Sequence, residues 1–144
     1  MSAHAMMADA TITAGPLFSE TVTLTQADFD LFARVSGDDN PIHVDPGFSR
    51  ATRFGRTVAH GMLLYTVLWG LLRRQWPDAR QTGQTLMFPA PAFADEPLVF
   101  TGRVEAIEVT GVRLTFRVIR LADGEPVCEA TAAVAISGSD HESR

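Results

Sequence analysis

The sequence contains no lysine; all 12 of its basic residues are arginines. Against 17 acidic residues they leave a formal net charge of −5, which argues against nucleic acid as a main partner. The missing lysine accompanies abundant Ala, Gly and Val and is read as coding bias, not as a binding signal. Cysteine is nearly absent too. Cys128 stands alone, so no intrachain disulfide can form and a reducing compartment is the default. Long apolar runs are missing: the longest, Met62 to Leu72, falls well short of the roughly 20 residues needed to cross a bilayer. The first seven residues have neither the positive flank nor the apolar stretch of a secretory signal. These absences set the expectation of a soluble, cytoplasmic protein without a membrane partner. What is present is 144 residues, enough for one domain with its own core.

Hydropathy patterning gives the elements. Glu20 to Thr25 alternates and reads as a short strand. Thr25 suits an N-cap, with Asp28 three residues on in a near capping box. Phe29, Phe32, Ala33 and Ser36 then lie on one helical face, and Gly37 is a natural stop. Asp45-Pro46 reads as a second cap followed by proline at the first helical position. Residues 52–59 read as loop. Gly61 to Leu72 is apolar on almost every side, which predicts a helix buried all round, ended by Arg73, Arg74 and Pro77. Each leucine buried there is worth roughly 1.5–3 kcal/mol, so this helix should be the centre of the core.

Strands are expected over Gln84–Pro89, 98–106, 112–118 and 128–136, with turns at Thr110-Gly111 and Asp123-Gly124. Read as successive hairpins, they form an antiparallel sheet with one apolar face. The fold class is therefore α+β, a sheet around one long helix. The expected organisation is a flexible segment over 1–17, one domain over 18–137 and a polar tail over 138–144.

The chemistry concentrates in Ser36-Gly37-Asp38-Asp39-Asn40-Pro41-Ile42-His43. Asp38 and His43 are five apart, a spacing no helix aligns, so a turn pinned by Pro41 must bring them together. A carboxylate and an imidazole facing one space are common tools for moving a proton or activating water. Asp39 reads as an exposed loop residue. A metal cluster of Asp38, Asp39, His43 and Asp45 lacks both calcium-loop and zinc spacing, so no metal is expected. Arg53 and Arg56 read as solvated loop charges, and Cys128 as core.

This loop, with Phe32 before it and Asp45-Pro46 after it, resembles the signature of MaoC-like, (R)-specific enoyl-CoA hydratases. Val58-Ala59-His60-Gly61-Met62-Leu63 resembles the start of the central helix in that family, and the resemblance covers about residues 18–136. It implies the hotdog fold and reversible hydration of a trans-2-enoyl-CoA to the (R)-3-hydroxyacyl-CoA. It further implies that Asp38 and His43 are the catalytic pair holding one water. Gly61 would be the glycine whose backbone N–H polarises the thioester carbonyl. Asn40 and Pro41 would shape the loop, and His60, beside the glycine, would be structural. The substrate would carry coenzyme A, with no further cofactor, and the protein would be a homodimer.

Relatives carry a serine eight residues after the helix-opening glycine, and here that position is Trp69. Tyr65 and Trp69 follow Gly61 at i+4 and i+8 and are expected to wall the acyl pocket, which would favour a short or compact acyl chain. The rival activities are a 3-hydroxyacyl-ACP dehydratase and a hotdog thioesterase. The rival without chemistry is an acyl-CoA-binding hotdog protein.

Overall fold

A computed structural model of the chain describes residues 12–136. Strand β1 (Gly15–Thr23) leads into helix α1 (Gln26–Ser36) and the short helices α2 (Pro41–Val44) and α3 (Pro46–Arg50). The long helix α4 (Gly61–Gln75) follows, then β2 (Ala79–Met87), β3 (Pro97–Glu108), β4 (Gly111–Arg120) and β5 (Pro126–Ile136). The strands form one antiparallel sheet in the order β1-β3-β4-β5-β2. The α+β expectation holds, with a sheet packed around one long helix.

Local chemistry explains the helix boundaries. The Thr25 side chain accepts from the Asp28 N–H, and the Asp28 carboxylate accepts from the Thr25 N–H, completing the capping box. At the other end Gly37 adopts φ 84°, and its N–H donates to the Ala33 carbonyl at 2.9 Å. A side chain there would be strained, so glycine fixes where the chain leaves α1. Phe29 is fully buried and anchors α1 against the core formed by Leu64, Leu68 and Leu72 of α4 and Phe100, Leu114 and Phe116 of the sheet.

Four expectations change. First, β1 starts at Gly15, inside the segment expected to be flexible, and pairs with β3 from Val104 to Pro97. It is an edge strand with no buried residue and a bulge near Pro16, so its alternation is weak. Residues 1–11, and the tail expected over 138–144, lie outside the described residues. Second, α4 is not buried all round. Leu63, Leu64, Tyr65, Leu68, Leu71 and Leu72 face the core, whereas Met62, Thr66 and Gly70 form an exposed stripe. Third, β2 runs from Ala79 to Met87, earlier than the expected 84–89, because the chain turns into the strand directly after Trp76-Pro77-Asp78. Fourth, β2 makes no hairpin with β3; it pairs with β5 at the far edge. The connection 88–96 holds Pro89 and Pro91, which lack the N–H a tight hairpin ladder requires. Among the described residues no helix is long and apolar enough to cross a membrane.

Thr25→Ala removes one half of the capping box, so it should cost about 1 kcal/mol. Urea unfolding should show a lower midpoint at unchanged slope.

Candidate active site

The loop between α1 and α2 is built by its own side chains. Asn40 accepts from the Ile42 N–H at 3.1 Å and so caps α2, with Pro41 in the first turn. The Asn40 N–H in turn donates to Asp38 Oδ1. That turns Asp38 Oδ2 toward His43, whose Nε2 lies 3.7 Å away. The gap is too long for a direct hydrogen bond and short enough for one water to touch both atoms.

The His43 tautomer follows from its other nitrogen. Nδ1 lies 2.6 Å from the Val58 carbonyl oxygen, which can only accept. Nδ1 therefore carries the proton, and Nε2 offers its lone pair toward Asp38. The two groups differ in environment: the His43 side chain is 15% exposed and that of Asp38 is 54% exposed.

Gly61 opens α4 beside this pair, where the first N–H groups have no intrahelical partner and the helix dipole is positive. His60, the N-cap, supplies no side-chain cap. Its ring is turned back instead, and Nε2–H donates to the Asp38 carbonyl at 2.9 Å. A Cβ on Gly61 would sit 2.7 Å from the Phe88 ring, so any larger residue there requires that ring to shift. Asp38, His43 and Gly61 line one cavity of about 510 Å³, whose wall is completed by Phe32, Val58, Leu64 and Val127.

Tyr65 and Trp69 do not line that cavity. Both face a separate groove with Arg73 and Gln81, and the buried Tyr65 hydroxyl donates to the Gln81 side chain. The reason is the sense of helical drift: i+4 and i+8 stand about 40° and 80° round from i on one side, whereas Leu64 at i+3, which does line the cavity, lies on the other. The argument for a short acyl chain rested on Trp69 and loses that support in this chain. Burial pushes the Tyr65 phenol up to about 12 and the Cys128 thiol up to about 11, so both stay neutral as core groups.

Asp39 faces a shallow depression with Asp30 and Arg34, away from the cavity. Arg56 pairs with Glu96 at 2.9 Å, whereas Arg53 reaches the cavity mouth over the Phe54 ring. Asp38, His43 and His60 bring ligand atoms within 4.8 Å of one another. The two imidazoles are stacked, however, with centroids 3.9 Å apart and planes 23° from parallel. Lone pairs lying in such planes do not converge on one ion, so the arrangement fits a metal poorly.

Sequence reasoning missed the contacts that hold the pair. The Val58 carbonyl has no side-chain signature. The His60–Asp38 bond spans 22 positions, and only the adjacency of His60 to Gly61 hinted at it.

Residues 8–122 match the family model of the MaoC like domain. The chain is 38% identical to an (R)-specific enoyl-CoA hydratase of Aeromonas caviae over 89 residues, 60% of this chain and 63% of that protein. It is 32% identical to an (R)-specific enoyl-CoA hydratase of Rhodospirillum rubrum over 116 residues, 79% of this chain and 81% of that one. A mitochondrial 3-hydroxyacyl-[acyl-carrier-protein] dehydratase of Arabidopsis thaliana is 31% identical over 65% of this chain and 55% of its own length. The solved structure of the A. caviae (R)-hydratase superposes with a TM-score of 0.83 at 30% identity, covering 89% of this chain and 99% of that one. The fold is thereby the hotdog fold expected from the resemblance.

His60 carries a pH consequence. Burial chiefly, with the neighbouring His43 charge, holds its pKa below the ordinary 6.5, opposed by the bond to the Asp38 carbonyl. In the unfolded chain His60 takes up a proton below about pH 6.5; in the folded chain it resists to lower pH. Within that window the unfolded state binds more protons, so stability should fall as the pH drops. His60→Gln should flatten this limb of a Tm-against-pH curve.

Proposed function

The chain belongs to the MaoC-like domain family, and from that premise we propose that it is a hydro-lyase, an (R)-specific enoyl-CoA hydratase or the matching 3-hydroxyacyl-CoA dehydratase. The observation that carries the reading is the 3.7 Å separation of Asp38 Oδ2 and His43 Nε2 beside the Gly61 helix start. A water held by both groups loses a proton to His43 Nε2 as its oxygen adds to C3 of the enoyl thioester. The proton passes to C2 on the same face, so the elements of one water are added and the pair returns to its starting state. Charge growing on the thioester oxygen is met by the Gly61 N–H at the positive helix end. The dehydratase direction runs the same steps backwards. The acyl-CoA thioester is the only organic partner this chemistry requires.

A second reading, a 3-hydroxyacyl-ACP dehydratase, draws support from the Arabidopsis relative. An acidic carrier protein would call for a basic rim. Arg53 supplies one charge at the mouth, while Arg56 is already paired with Glu96. The CoA reading is therefore preferred. A purely binding role would leave the Asp38–His43 pair without a use.

We further infer a cytoplasmic homodimer. The open edge of β2, the exposed α4 stripe of Met62, Thr66 and Gly70, and the exposed Met87 and Phe88 together offer a face for a second copy. A lone buried cysteine suits a reducing compartment.

Crotonyl-CoA hydration, followed as loss of enoyl-thioester absorbance, is the direct assay. Asp38→Asn and His43→Ala should each lower kcat by roughly 10²–10⁴. The double variant should lose little more than either single one, because the residues act as a unit. Near wild-type kcat in either single variant would sink that residue's role. Comparing the same acyl group on CoA and on a carrier protein separates the two thioester readings.

Gly61→Ala should fold, since the half-exposed Phe88 ring can swing aside, but kcat/KM should fall as the methyl crowds the thioester's approach. Normal turnover in that variant would mean the carbonyl is held elsewhere. Sedimentation should show twice the chain mass at micromolar concentration; a fully active monomer would refute the dimer.

A further inference from the structure

We propose that His60 is a positioning residue of this site, one that holds the Asp38 main chain and the His43 ring where both reach the same water. The inference rests on the hydratase reading and adds to it a residue outside the reacting pair. His60 is 2% exposed and sits at a junction. Its Nε2–H donates to the Asp38 carbonyl, which fixes the backbone that carries the carboxylate. Its ring forms the flat floor on which the His43 ring stacks. The Phe32 ring meets it edge-on at 4.9 Å and the Phe29 ring stands perpendicular at 6.4 Å, and both restrain its tilt. Its own carbonyl accepts from the Leu63 N–H and begins α4. One residue thus couples Asp38, His43 and the start of the helix that carries Gly61.

The remaining nitrogen supports a neutral ring. His60 Nδ1 is buried and has no hydrogen-bond partner among the described residues. As a lone pair it is tolerable there; as an N–H it would be a buried donor with no acceptor. The titratable groups that face the ring are Asp38 and His43, and α1 presents only its phenylalanines. A neutral His60 leaves His43 free to take a proton without a fixed cation stacked against it.

A core histidine that merely fills space would act differently under substitution. His60→Leu keeps the apolar bulk and deletes the donor. His60→Gln can place an amide N–H near the Nε2 position. With crotonyl-CoA, His60→Leu should lose about 10- to 100-fold in kcat at nearly constant KM, because a displaced reacting group costs that much. His60→Gln should recover most of the loss. Equal kcat in the two variants, or wild-type kcat in His60→Leu, overturns the proposal.

A second measurement uses the unsubstituted protein. Imidazole ¹⁵N NMR should show His60 as the neutral Nε2–H tautomer from about pH 7 to 8. The Nδ1–H tautomer, or an imidazolium in that range, overturns the proposal even if neither variant folds. Wild-type turnover tests the hydratase reading separately, since the tautomer reports the His60–Asp38 bond whether or not crotonyl-CoA is hydrated.

Discussion

A backbone carbonyl can accept a proton but never give one, and the site depends on that asymmetry at Val58. Because the Val58 oxygen takes the His43 Nδ1–H, the other ring nitrogen must present a lone pair toward Asp38. The opposite tautomer would place two acceptors against each other at 2.6 Å and leave no base facing the carboxylate. Val58 is itself held, its N–H donating to the Ile42 carbonyl at 3.0 Å. The neighbouring Ala59 N–H is tied to Ala92 of the β2–β3 connection at 2.8 Å. Residues 58–61 therefore form a spine. They orient His43 by a carbonyl and Asp38 through the His60 ring, and they carry the Gly61 N–H at the start of α4.

The spine is rigid because of what lies beneath it. It runs directly into α4, whose Leu64, Leu68 and Leu72 are almost wholly removed from water against Leu98, Phe100, Leu114 and Phe116. Moving Gly61 by an ångström would drag a packed helix with it, and close-packed interiors resist such shifts. Phe29 performs the same service for α1: it buries the helix and at the same time backs the His60 ring. Core and site share residues here: His43 stands on α2 and Gly61 on α4, and the loop that carries Asp38 is tied back to the buried His60 ring.

Much of this was legible in the sequence, for physical reasons that differ by residue. Thr25, Asp28 and Gly37 act on their immediate neighbours, so a local pattern reports them faithfully. The Asn40-Pro41 turn and the Asp45-Pro46 cap are local in the same sense. Asp38 and His43 could be paired because only five positions separate them. The β2 connection was misread because hairpin logic assumes that neighbours in sequence pair, whereas β2 finds its partner in β5, across the whole sheet. The exposed stripe of α4 was invisible for a related reason: Met62 and Gly70 look buried in composition, and only tertiary placement shows which face is left bare. Trp69 fell to accumulated rotation, small at each turn of the helix and decisive after two, and Tyr65 to its burial in the core with its hydroxyl on Gln81.

The unequal exposure of the pair bears on how it works. His43 is nearly buried and pinned at Nδ1, so its orientation is set before any substrate arrives. Asp38 keeps half its side chain in water, where its charge is solvated and its pull on His43 is screened. An acyl thioester filling the cavity would cover Asp38 against Phe32 and Val58 and strip that water away. The same 3.7 Å separation would then lie in a lower dielectric, and the carboxylate would stabilise a developing imidazolium more strongly than it does in the open cavity. In the proposed reaction the base would thus be oriented by the fold in advance, and the charge that assists it would come to full strength only once substrate is bound.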